Sequence, residues 1–248
     1  MNKAIRNIKK IKNDIFHSDE LTIIIPAAGE GTRMKAFGPK SLIKLSNKLT
    51  VIDHQIQLIH KQFPFANIVL VHGYEANKVM NYLSTKEEYS KKNIINLENE
   101  RYKTTNVVRS IAIGLRATLT NKVLIMYGDL ICNLSMLKIP DETQSSLYID
   151  ISNTMTENEV GCVIQNRLIE HMIYDLPNKW AQIAYITGLE LTLLKKIVYN
   201  PTNENLLGFE VFNEIINQDG KFVPIKPKRG WANDIDCVKD LTIIQNKL

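Results

Sequence analysis

The sequence predicts an α/β fold, a mostly parallel sheet with helices on both faces and an elaborated C-terminal half. Two observations carry this. Short β-branched apolar runs, each the length of a strand, recur along the first half of the chain. Between them lie longer stretches with apolar residues at spacings of three and four, the mark of an amphipathic helix. Strand then alternates with helix, an order that calls for crossover connections and a sheet covered on both faces.

Leu21–Ile25 reads as the first buried strand. Val51–Phe63 carries Ile52, Ile56, Ile59 and Phe63 at helical spacing, and Ile68–Val71 is a second strand closed by Gly73. Val108, Ile111, Ile113 and Leu115 lie in a helix whose start is flagged by Thr105 and Asn106 as capping candidates. Lys122–Tyr127 is a third strand, ending at Gly128–Asp129. Beyond Pro140 come shorter strand candidates, Leu147–Ile151, Val160–Ile164 and Ala181–Thr187, then helices around Leu189–Val198 and Leu206–Asn217. No repeat or linker interrupts this order, so residues 21–248 are expected to form one domain. Residues 1–20 are expected to be an N-terminal amphipathic helical extension, with Ile5, Ile8, Ile11 and Ile15 on one stripe. Lysines and asparagines interrupt that segment, which argues against a signal peptide. It would pack on the domain surface or on a second subunit, so a homodimer is possible.

Composition narrows the function classes. Hydrophobic residues are 44% and charged residues 23% of the 248-residue chain, ordinary globular values. Lysine plus arginine is 31 against 26 acidic residues, a net charge of +5. That excess is too small to argue nucleic-acid binding, but it suits a phosphorylated ligand. Cys132, Cys162 and Cys237 are odd in number and scattered, which argues against a disulfide framework or a zinc site and for a reducing, cytoplasmic setting. No apolar stretch reaches the length of a membrane span.

The most informative segment follows the first strand: Pro26-Ala27-Ala28-Gly29-Glu30-Gly31-Thr32-Arg33-Met34, then Gly38-Pro39-Lys40-Ser41-Leu42. Small residues at a strand's carboxyl end let backbone N–H groups approach a polyphosphate. Arg33 and Lys40 add a fork-shaped and a point-like cation. The spacing fits neither a Walker loop nor a dinucleotide fingerprint, which needs a small residue where Met34 stands. Asp129 ends a predicted central strand, where open sheets place ligands. A carboxylate facing a phosphate loop calls for a cation between them, and Mg2+ held by carboxylates and phosphate oxygens meets that need. An acceptor that is itself a phosphate is largely ionised at pH 7 and needs no general base. The five scattered histidines accord with that.

These residues resemble the nucleotidylyltransferases, a Rossmann-like family that couples a nucleoside triphosphate to a phosphorylated small molecule. The family loop A-A-G-x-G-T-R-M, followed by P-K-x-L, is matched by Ala27, Ala28, Gly29, Gly31, Thr32, Arg33, Met34, Pro39, Lys40 and Leu42. Molybdenum-cofactor guanylyltransferases, which are relatives, usually carry two glycines where this chain has Ala28-Gly29. Gly73-Tyr74 resembles the G-Y after the second strand, and Gly128-Asp129 the G-D whose aspartate binds magnesium. Asp234-Ile235-Asp236 resembles E-I-D, with Asp in place of Glu at 234. Asn99, Tyr102, Thr105, Asn106 and Ser110 look like the N-x-x-Y-x-x-T-N…S stretch of phosphocholine-type cytidylyltransferases.

The resemblance implies that Ala27, Ala28, Gly29, Glu30, Gly31, Thr32, Gly73, Thr105 and Asn106 bind nucleotide. It implies that Arg33 and Lys40 are catalytic, that Asp129 and Asp236 hold Mg2+, and that Tyr102 and Ser110 lie beside the acceptor. Trp180 and Trp231 are read as packing residues, with contact to a quaternary ammonium group as the alternative. Lys226, with Lys228 and Arg229, could hold the acceptor phosphate or belong to a solvated loop. The expected reaction moves CMP from CTP to a phosphate or phosphonate acceptor and releases pyrophosphate. Sugar-1-phosphate activation with UTP, GTP or dTTP is the alternative within the class. A non-catalytic nucleotide-binding regulator and a nicotinamide-dependent oxidoreductase are the readings from other classes.

Overall fold

Alternation of side chains along each strand sets the layers. In β1 (Leu21–Ala27), Ile23 and Ile25 join one apolar cluster and Ile24 joins another. The same division holds in β2 (Asn67–His72), where Ile68 and Leu70 oppose Val69 and Val71. It recurs in β4 (Lys122–Met126), where Leu124 and Met126 oppose Val123 and Ile125. Such strands are buried on both faces, which is why they read as continuous apolar runs. The computed structural model describes residues 21–89, 93–118, 120–152 and 158–248. The helix expected over residues 1–20 lies outside them.

One face of the sheet is covered by α1 (Val51–Gln62), through Ile52, Ile56 and Ile59, and by α2 (Ala76–Ser84), through Val79 and Leu83. The other is covered by α3 (Val107–Arg116), α4 (Gly188–Val198) and α5 (Gly208–Ile216), which contribute Ile111, Leu115, Leu194, Phe212 and Ile215. The remaining strands are β3 (Ile94–Glu98), β5 (Leu130–Cys132), β6 (Ser146–Ile149), β7 (Val160–Gln165), β8 (Leu168–Tyr174), β9 (Trp180–Thr187), β10 (Val223–Ile225) and β11 (Ala232–Asp234). The last helix is α6 (Val238–Gln245).

The main sheet runs β10-β6-β9-β4-β1-β2-β3, with β9 antiparallel to both its neighbours and every other pairing parallel. The mostly parallel α/β architecture is therefore as expected. β7 and β8 form a separate antiparallel hairpin, and β5 and β11 a separate two-stranded ribbon. The sequence pattern passes over β3, whose side chains are mostly half-exposed, and α2, which opens at Glu75 with φ 49° and no side-chain cap. The strand expected over Leu147–Ile151 stops at Ile149, where its register with β9 shifts.

Candidate active site

β1 continues to β2 on one side, whereas β4 pairs with its other side, so the loops at the carboxyl ends of β1 and β4 part from each other. Open α/β sheets bind ligands at this kind of switch point. In the first loop Gly31 has φ +56°, and a Cβ there would meet Lys40 Cε at 2.8 Å. Glycine thus supplies the left-handed turn and lets the Lys40 stem lie against it. In the second loop, Gly128 N donates to Pro26 O at 3.1 Å, and a Cβ on Gly128 would come within 2.5 Å of Ala27 Cβ. The absent side chain lets the two strand ends close up.

Asp129 leads directly into β5, which pairs with β11 so that Leu130 faces Asp234. Ile235 N donates to Asp129 O at 3.1 Å, fixing the end of this ribbon. Asp129 and Asp236 then converge on one cation. Lys40 Nζ lies 2.8 Å from Asp129 Oδ2 and 2.7 Å from Asp236 Oδ1. Arg33, largely exposed, places Nη1 3.9 Å from Asp236 Oδ2. Burial works against charge on Lys40, but Asp129 and Asp236 outweigh it and hold the ammonium above the ordinary lysine range. A third carboxylate, Asp234, is held above its usual range by burial and by the charges of Asp129 and Asp236, with Lys179 acting the other way. Gln182 Nε2 donates to Asp234 Oδ2 at 3.2 Å.

Two hard oxygen donors already gathered about one positive charge are a donor set that fits magnesium. Among the described residues no group of three or more His, Cys, Asp or Glu forms a cage.

A cleft of about 300 Å³ opens above these groups, walled by Ala27, Ala28, Gly29, Asn99, Tyr102 and Ser110. Thr105 and Asn106 line both this cleft and a wider hollow beside it that carries Glu30, Arg33 and Asp236. Asn99 organises the wall: its Nδ2 donates to Ser110 Oγ at 3.2 Å and Thr105 Oγ1 at 3.3 Å, and its Oδ1 accepts from Arg101 N at 3.1 Å. Gly73 sits behind the wall, where a Cβ would press within 2.6 Å of Ala28 O and 2.7 Å of Tyr102 Cβ. Thr32 opens the 3-10 turn Thr32–Phe37 that carries Arg33. Trp180 lies in a third cavity of about 590 Å³ that also reaches Asp234 and Asp236. It is nearly buried and stacks edge-on with Tyr127 and Phe212 at 5.5 and 5.4 Å.

Three further residues that the sequence singled out are placed as follows. Asn106 stands at the N-cap of α3 but makes no side-chain cap; its Nδ2 instead donates to Asn205 O at 2.6 Å, tying the cleft wall to the segment before α5. Trp231 is not brought to the cleft. It packs on a satellite cluster around Met34, Ile131 and Ile244, with Lys247 Nζ 5.3 Å from its ring. Lys226 lines a different cavity, with Lys138, Lys228 and Arg229. The turn closed by Gly230 N to Pro227 O redirects the chain between Lys226 and Asp236, so nearness in sequence does not become nearness in space. Gln182 and Phe209 beside Trp180 escape sequence reading, because they come from β9 and α5 and share no local pattern with the loop.

Comparison with known proteins finds likeness in this fold and in the segment that holds the two loops. Residues 23–138 match the family described as the MobA-like NTP transferase domain. The 2-C-methyl-D-erythritol 4-phosphate cytidylyltransferase of Halalkalibacterium halodurans is 23% identical over 197 residues, spanning 76% of this chain and 80% of its own. Among solved structures, the CTP:phosphocholine cytidylyltransferase of Streptococcus pneumoniae superposes with a TM-score of 0.69 at 18% identity, over 92% of this chain and 99% of its own. The inositol-1-phosphate CTP transferase of T. maritima gives 0.72 at 15% identity, over 93% and 95%. At these identities the structural likeness bears on the fold.

Proposed function

We propose that this chain is a magnesium-dependent nucleotidyltransferase that moves a nucleotidyl group, CMP from CTP, onto a phosphate or phosphonate of a small acceptor and releases pyrophosphate. The observation that carries the reading is the convergence of Asp129 and Asp236 on Lys40 at the floor of a glycine-walled cleft. The CTP specificity named for the relatives above supports cytosine as the base.

An ionised acceptor oxygen attacks the α-phosphorus in line; the new P–O bond forms as the bond to the bridging oxygen breaks, and pyrophosphate leaves with the electron pair. Backbone N–H groups of residues 28–31 cradle the β- and γ-phosphates, and Arg33 neutralises the leaving pyrophosphate. Lys40 holds the two carboxylates at one point and balances charge beside the α-phosphate. Magnesium held by Asp129 and Asp236 would supply Lewis-acid polarisation of the phosphoryl oxygens. Asn99, Ser110 and Tyr102 orient the ligand that fills the cleft.

Incubating the protein with each NTP, magnesium and a panel of phosphorylated acceptors, while following pyrophosphate release, tests the proposal. Turnover confined to CTP with alcohol or amine phosphates or phosphonates supports it. Turnover confined to sugar 1-phosphates with UTP, GTP or dTTP overturns the cytidylyl assignment, and none with any NTP overturns catalysis.

A further inference from the structure

The loop after β10 carries cations that the reaction above does not use. Lys226, Lys228 and Arg229 join Lys138 around a separate cavity of about 450 Å³, whose remaining lining includes Pro140, Pro224 and Pro227 and no carboxylate. All four cationic residues are exposed. Lys226 Nζ is oriented by Asn178 Oδ1 at 2.7 Å, a neutral partner that leaves its charge uncompensated.

The backbone that bears these side chains is pinned. Asn133 Nδ2 donates to Arg229 O at 2.7 Å, Tyr148 Oη donates to Lys138 O at 2.8 Å, and Gly230 N closes on Pro227 O at 3.0 Å. Like charges gathered in a concavity repel one another, and low-dielectric walls such as these prolines focus the resulting positive field. A rigid backbone with prolines at fixed φ keeps the cations together despite that repulsion. An anion with several acceptor oxygens offsets the repulsion, and a guanidinium fork beside ammonium groups matches phosphate geometry.

The geometry points to a second anion site here, one that takes the phosphate or diphosphate group of a small molecule, lies outside the candidate active site and does not depend on the function proposed for it. Its small-molecule character follows from shape: the cations line a hollow of limited volume and do not form an extended stripe of the kind that follows a nucleic-acid backbone. The cavity lies at the opposite end of the β5–β11 ribbon from Asp129 and Asp236, since Asn133, just after β5, holds both the Arg229 carbonyl and Trp231 N.

The test is calorimetric titration of the full-length protein with inorganic phosphate, inorganic pyrophosphate and a single-stranded oligothymidylate, at two salt concentrations. Lys228→Ala/Arg229→Ala removes two exposed side chains while leaving the backbone carbonyl that Asn133 holds, so thermal stability should match wild type. Pyrophosphate is expected to bind two sites on the wild type. The double variant should weaken one of them by about tenfold or more and leave pyrophosphate-releasing turnover unchanged. Phosphate binding as tightly as pyrophosphate at that site identifies a single phosphate group as the ligand, and weaker phosphate binding identifies a diphosphate; either upholds the site. Arg33→Ala should weaken only the other site; if it changes nothing, the active-site reading suffers and the basic pocket stands. Unchanged pyrophosphate binding in the double variant overturns the proposal. So does preferential, strongly salt-dependent binding of the oligonucleotide at these residues, which would mark a nucleic-acid surface instead.

Discussion

Lys40 links the loop to the metal-type carboxylates, and its charge has two duties. It is expected to contribute at the transition state, where one preorganised contact is worth about 2.7–4 kcal/mol, so Lys40→Ala should cut turnover at least about a hundredfold. Its stem packs on Gly31 and its ammonium bridges Asp129 and Asp236. Lys40→Ala should therefore also lower the melting temperature, and magnesium should raise it more in the variant than in wild type. Equal magnesium shifts in both proteins would contradict the shared cation point. Asp129→Asn and Asp236→Asn are each expected to abolish magnesium-dependent turnover. Asp234→Asn should be milder, because Asp234 is held by Gln182 at 3.2 Å and makes no direct contact with Lys40. Comparing the three rates at saturating magnesium decides between them.

Among the elements, α1 shows how a polar cluster holds the site's scaffold. Thr50 and Asp53 form a capping box at its start, and the Asp53 carboxylate also accepts from Tyr82 Oη of α2 at 2.5 Å and from Tyr89 Oη at 2.6 Å. A hydrogen bond to a buried charged group is worth about 1.5–3 kcal/mol, so Tyr89→Phe should cost about that much in a denaturant titration. Activity should change little, since the cluster lies on the face of the sheet that α1 covers and lines no part of the cleft. The β5–β11 ribbon is the complementary case: three residues per strand bring Asp129 beside a residue more than a hundred positions away. Its strands are too short and too mixed in character to stand out as a period-two pattern.

Across the molecule, pH ties these clusters to stability. Burial raises the Asp53 carboxyl, but the hydrogen bonds from Tyr82, Tyr89 and Thr50 outweigh it and leave it below the usual range. Its contribution is therefore fully present above the ordinary aspartate value of about 3.9 and is lost as pH falls through the lower folded value. Tyr89→Phe should accordingly shift the acid-unfolding midpoint to higher pH; an unchanged midpoint would sink this assignment. Lys40 works in the opposite window: its stabilisation is present below the ordinary lysine value and is lost as pH rises through the raised folded one.

The main strands, the helices on both faces and the phosphate loop were legible in the chain, because burial on two faces makes apolar runs and a tight turn makes small residues, both local signals. Asp129 was legible because it closes a predicted strand, whereas Asp236 was legible only through the resemblance of Asp234-Ile235-Asp236 to a family motif. The tertiary structure alone decided that they meet at Lys40, that Asn106 ties the cleft wall to Asn205 instead of capping its helix, and that Trp231 and Lys226 turn away from the cleft. Those outcomes depend on sheet order and on antiparallel pairing between distant segments. Sequence spacing does not encode either, because the free energy of a long-range pairing lies in contacts that exist only once the sheet is assembled.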